Sequence, residues 1–140
     1  MSTISFFALA IVGLGALSFA TDAEIVTVPG LGQGPGVAGM IAAVAAFAGV
    51  EWAAVRIDRP VYRSVWATAL VTGLAHLVVV GLGALLAAGD AVVALAVAGG
   101  LVTGGPSLVI LAAAAVAAWG GVALRRTRAQ HPHWPWEDEE

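Results

Sequence analysis

The run WATALVTGLAHLVVVGLGALLAA, Trp66 to Ala88, holds 23 residues without an acid, a Lys or an Arg. As an α-helix it would be about 35 Å long, and the hydrocarbon core of a bilayer is about 30 Å thick. A sustained apolar run of this length reads as a membrane-crossing helix. The rest of the chain is organised around it.

Upstream lies a short charged turn, Arg56-Ile57-Asp58-Arg59-Pro60-Val61-Tyr62-Arg63, and before it a second apolar helix expected over 37–55, which contains Glu51. Dense Gly and Pro from Pro29 to Gly36 cannot sustain a helix and read as loop. Gly30, Gly32, Gly34 and Gly36 do not form a phosphate cradle, since no strand precedes them and no Lys-Ser/Thr follows. A further apolar run over 4–20 would be about 25 Å long, near the lower limit for crossing. Ser18-Phe19-Ala20 also has the small-x-small form of a signal cleavage site, but residues 1–5 carry no basic group, so a retained helix is the expectation.

Downstream, Gly89-Asp90 ends the central run. One helix from Ala91 to Leu124 would reach about 50 Å, too long for the bilayer. The breakers Gly99-Gly100 and Gly104-Gly105-Pro106 divide it, and Pro106 suits a first helical turn. A last span is therefore expected over 106–124, with 91–103 as a short re-entrant or interfacial helix before it. The expected fold is an all-α integral membrane protein with four transmembrane helices. Residues 1–128 form the transmembrane domain, and 129–140 a tail rich in Trp, Pro and acids.

Composition agrees. Of 140 residues, 60% are hydrophobic and 11% charged, against about 25% charged in soluble domains. The formal net charge of -3 reflects the terminal run Glu137 to Glu140. No basic stripe with interleaved aromatics suggests nucleic-acid binding. Cys is absent, which excludes disulfides, thiolate metal sites and Cys nucleophiles. Lys is absent too, which removes Schiff-base chemistry.

All 6 basic residues fall in two clusters: Arg56, Arg59 and Arg63, then Arg125, Arg126 and Arg128. The other connections carry only Asp22, Glu24 and Asp90. Excess Arg marks the cytoplasmic side, and four spans put both clusters there, with both termini in the cytoplasm of a cell-membrane protein. Trp52, Tyr62, Trp66 and Trp119 near span ends match an interfacial aromatic belt.

Two ionisable groups lie inside spans, Glu51 and His76. Charged groups at membrane depth are costly, so each should have a partner. The expectation is that they serve one another across an antiparallel helix pair, with Thr68 and Thr72 extending a polar stripe one and two turns before His76. Such a pair would suit proton or cation passage. The plainer alternative has Glu51 snorkelling toward Arg56 and His76 bonded to Thr72 or a carbonyl. Small-residue ridges at Gly39, Ala43 and Ala46, at Ala42, Ala46 and Gly49, at Gly13 and Ala16, and from Ala113 to Ala118 would favour close helix packing. His131-Pro132-His133 lacks a third ligand for a metal, and haem ligation by His76 lacks a second axial group. No cofactor is expected.

Ser5, Ser18, Ser64 and Ser107 form no credible nucleophile–base pair with His76, so no enzyme is expected. The function expected is a non-catalytic protein whose partners are the lipid bilayer and either its own copies or other membrane subunits. The alternative is a small oligomeric transporter or channel working through Glu51 and His76.

Overall fold

The computed structural model describes residues 1–21, 32–56 and 61–129, with side chains up to residue 127. Among these residues the chain is all-helical: α1 (Ser2–Thr21), α2 (Gly34–Val55), α3 (Arg63–Ala88), α4 (Ala91–Thr103) and α5 (Pro106–Ala129). Four of the five, all but α4, are long and apolar enough to cross a membrane. Four such helices indicate a multi-pass membrane protein.

Helix ends follow local chemistry. Gly89 caps α3 in the left-handed conformation (φ 66°), its N–H donating to the Leu85 carbonyl, a conformation Gly adopts without a Cβ penalty. Asp90 then caps α4, its carboxylate accepting from the Val92 N–H at 2.7 Å, as N-cap side chains do. Gly104 and Gly105 (φ 100°) turn the chain into Pro106, the first residue of α5.

Three boundaries differ from the sequence expectation. Gly34, Pro35 and Gly36 belong to α2, not to the preceding loop. Pro35 lies in the first turn, where its missing N–H removes nothing and its fixed φ is already helical. Arg63 starts α3 three residues before Trp66, and α5 continues through Arg125 and Arg126 to Ala129.

Helix α3 is the hub, with α2, α4 and α5 all packed on it, while α1 lies mainly on α5. The core joins Phe6, Ala10 and Leu14 of α1, Ala43 and Phe47 of α2, Val65 and Ala69 of α3, and Ile110, Ala114, Ala118 and Val122 of α5. Nearly all are four apart on their own helix, the spacing of a ridge that packs into a neighbour's groove. Phe6 and Phe47 stack with centroids 4.7 Å apart. A smaller cluster joins Val80 and Ala84 to Val97 and Leu101 of α4. With only Gly89 and Asp90 between them, α3 and α4 run antiparallel.

The surface is inverted relative to a water-soluble bundle. Leu70, Leu74, Val78 and Leu82 of α3 are exposed, whereas Thr68, Thr72 and His76 of the same helix are buried. Exposed apolar side chains likewise cover α1, α4 and α5. Soluble monomers rarely expose contiguous apolar patches beyond a few hundred Å²; hydrocarbon is the solvent this surface suits.

Small-residue contacts are selective. A Cβ built on Gly39 would overlap Val80 Cγ2 and lie 3.2 Å from His76 Cδ2. One on Gly13 would come 2.6 Å from Val109 Cγ1, and one on Gly73 2.8 Å from Leu111 Cδ2. Ala113, Ala114, Ala117 and Ala118 are buried in the core. Gly49 faces open space and Ala16 is exposed, so two of the expected ridges are only partly engaged.

Candidate functional site

Among the described residues the buried polar side chains are Glu51, Thr68, Thr72 and His76, all at or below 4% exposure. Thr68, Thr72 and His76 lie on one face of α3 at four-residue spacing, the repeat that stacks side chains along a helix. Thr68 Oγ1 donates to the Ser64 carbonyl at 2.9 Å. Thr72 Oγ1, His76 Nδ1, both Glu51 carboxylate oxygens and Ser107 Oγ of α5 are buried without a hydrogen-bond partner. Buried polar atoms are nearly always paired, so these unpaired ones mark points along the bundle interior that packing alone does not account for.

Glu51 and His76 are not brought together. Gly39 of α2 meets His76 and Val80, and Pro35 meets Gly83. Continuing that antiparallel register from residue 39 to 51 advances about 18 Å and brings Glu51 level with the first turns of α3. Two physical facts separate the pair. Because α3 starts at Arg63, His76 lies one turn deeper than a start at Trp66 implies. In addition, residues four apart rotate by about 40° on a helix, so the stripe Gly39, Ala43, Phe47, Glu51 turns about 120° from end to end. Gly39 faces α3, Phe47 reaches Phe6 of α1, and Glu51 faces α5.

The carboxylate therefore sits where α1, α2 and α5 meet. A Cβ on Gly121 would overlap Glu51 Oε1 and lie 3.2 Å from Glu51 Cδ and 3.3 Å from Ser2 Cβ. Gly121 leaves the space that the carboxylate fills, and the first residue of α1 closes it. Sequence spacing could not point to Gly121 or Ser2, because both come from helices remote in the chain.

No family model matches the chain, and no curated protein or solved structure is significantly similar to it. The site must be read from its own residues.

No group of three or more His, Asp or Glu side chains converges on a common point among the described residues. Arg56 lies with its guanidinium carbon 4.3 Å from the Trp52 ring centroid, a cation–π arrangement, and is not a bonded partner of Glu51. Snorkelling of Glu51 to Arg56 is thus not what the side chains do. Arg126 takes up a like position 4.9 Å from the Tyr62 ring. This places the end of α5 beside the start of α3, so Arg56, Arg63, Arg125 and Arg126 share one end of the bundle. Arg59, the side chain of Arg128, His131, His133 and the Trp-rich tail lie outside the described residues.

Proposed function

We propose that the chain is a four-span protein of the cell membrane with both termini in the cytoplasm, α4 entering from the outer side as a half-helix that α5 continues, after the break, toward the arginine end. We further propose that it is non-catalytic and assembles with its own copies or with other subunits of a membrane complex. The orientation is supported by the shared arginine end, since positive charge is retained on the cytoplasmic side.

The observation that carries assembly is the break between α4 and α5. Helix α4, 13 residues and about 20 Å long, descends antiparallel to α3, and its last turns reach Val80 and Leu77. The break thus falls inside the length of α3 and about one turn inside the outer end of α1, where Gly105 meets Leu17. Leu17 of α1 covers one side at Gly105, yet Thr103 and Gly104 are exposed. The helical ladder is interrupted there, although the Gly104 N–H still donates to the Gly100 carbonyl and the Val109 N–H to the Gly105 carbonyl, and irregular backbone at membrane depth is tolerated only where protein or a water-filled cavity covers it. A second protein surface is the cover that fits the apolar exterior around the break, where Val102 and Leu108 are exposed.

The competing reading is an oligomeric transporter or channel. It is favoured by the unpaired Glu51, Thr72 and His76, and by the broken helix, a feature of many transporter binding sites. The gap of about 18 Å between Glu51 and His76, with Phe47 and Ala43 on the intervening stripe, counts against a direct relay.

One position separates the two. The chain has no Cys, so Thr103→Cys supplies a single thiol at the break. Assembly predicts cross-linking of two copies, or of one copy to a second subunit, by a short bis-maleimide in native membranes. Labelling by a charged, membrane-impermeant maleimide without cross-linking would mean a water-filled vestibule and would favour the transporter.

A further inference from the structure

Between α3 and α5, toward the arginine end, the helices leave an open cleft of about 420 Å³ lined by Tyr62, Val65, Trp66, Ala115, Val116 and Trp119. Its size is within the range of small-molecule sites, about 300–1,000 Å³. The cleft arises from the contact above it. The two helices touch at Gly73, where a Cβ would lie 3.1 Å from Leu111 Cγ. Nearer the arginine end, the small Ala115 leaves the gap unfilled.

The lining divides by chemistry. Val65, Ala115 and Val116 make an apolar floor. Trp66 and Trp119, both more than half exposed, form walls with one N–H donor each. At the mouth Arg126 lies over the Tyr62 ring and is exposed. The acids among the described residues do not compete: Glu51 is buried at 3% exposure, and Asp90 lies at the other end of α3.

We propose that this cleft binds one anionic phospholipid. An acyl chain lies along Val65, Ala115 and Val116 between the two indoles, and Arg126 holds the phosphate. The arrangement follows general membrane physics. Indoles sit at headgroup level, basic pockets between spanning helices take anionic headgroups, and a guanidinium engages phosphate oxygens in a fixed fork. Charge complementarity sets the occupant: an apolar floor with a cation at one end matches a lipid with a negative headgroup, and matches neither a soluble anion nor a neutral lipid equally well. The inference rests on the membrane-spanning reading and extends it to a single site.

The test is native mass spectrometry of the delipidated full chain in detergent, titrated with phosphatidylglycerol and phosphatidylcholine of identical acyl chains. Wild type should retain one phosphatidylglycerol in clear preference. Arg126→Gln, at an exposed position that does not challenge folding, should lower the preference about 5-fold. Ala115→Leu, with helicity checked by circular dichroism, should weaken both lipids by filling the floor. Equal retention of the two lipids by wild type would overturn the site, as would a preference unchanged by Arg126→Gln. Displacement of the lipid by millimolar inorganic phosphate would reveal an anion site and also overturn it. A chain that needs detergent but discriminates no headgroup refutes the lipid site alone; a chain soluble in plain buffer refutes the membrane reading beneath it.

Discussion

Consider a methyl group added to Gly39 and, separately, to Gly49, two glycines ten residues apart on α2. Both lie in the interior of a helix, where Ala is favoured over Gly by about 0.5–1 kcal/mol; that gain is common to the two variants. Their surroundings differ. At Gly39 the new Cβ would overlap Val80 Cγ2 and come 3.2 Å from His76 Cδ2 and 3.3 Å from the His76 carbonyl oxygen. Val80 is 1% exposed and the carbonyl is helix backbone, so neither can swing aside, and α2 must move off α3. Overpacking of this kind costs about 1–3 kcal/mol. At Gly49 the added group meets nothing within 4 Å. Gly49→Ala should therefore stabilise the fold by about 0.5–1 kcal/mol, and Gly39→Ala should fall below it by about 1–3 kcal/mol. Reversible unfolding in mixed micelles, followed by far-UV circular dichroism, reads the difference directly. If Gly39→Ala proves as stable as Gly49→Ala, then α2 and α3 do not meet in the register described, and the depths assigned to Glu51 and His76 are wrong.

Other outcomes follow from the same geometry. Glu51→Gln and His76→Gln should be additive in unfolding free energy to within about 0.5 kcal/mol, as distant sites are; larger coupling would return the two groups to one site. Gly121→Ala should destabilise wild type and be relieved in a Glu51→Ala background, because the clash is with that carboxylate; a double-mutant cycle without coupling would place Glu51 elsewhere. Phe6→Leu with Phe47→Leu should show a coupling of about 0.5–1.5 kcal/mol from the lost ring stack, measured by the same unfolding. Asp90→Ala should cost about 0.5–2 kcal/mol and appear first as faster amide exchange in α4; unchanged exchange at Val92 would deny the cap.

Much of this architecture is legible in local sequence because its signals are local. Gly89-Asp90 and Gly104-Gly105-Pro106 delimit α4 by a left-handed residue, an acidic cap and a proline, and each acts within a turn of itself. The length and apolarity of Trp66 to Ala88 needed no partner to be read. Pro35 and Arg63 were harder, since a proline is both a helix breaker and a good first-turn residue, and a charge next to an apolar run is tolerated inside a helix that has reached the interface. The site was least legible. That Glu51, Thr68, Thr72 and His76 share the interior follows from the cost of facing lipid, but which helix each faces depends on rotation along α2 and on the register set by the α2–α3 turn. A stripe that turns about 120° over three repeats cannot be assigned one face from spacing alone. Gly39 and Gly49 likewise look alike in sequence, and only the neighbour distinguishes them.

The architecture requires the exposed surface of Leu70, Leu74, Val78, Leu82 and their counterparts to meet hydrocarbon. The direct measurement is fractionation of cells expressing the full chain, with an alkaline carbonate wash of the membranes followed by detergent. The account predicts that the protein stays in the washed pellet and is released only by detergent. Release into the carbonate supernatant as a species that remains monodisperse in detergent-free buffer would contradict it.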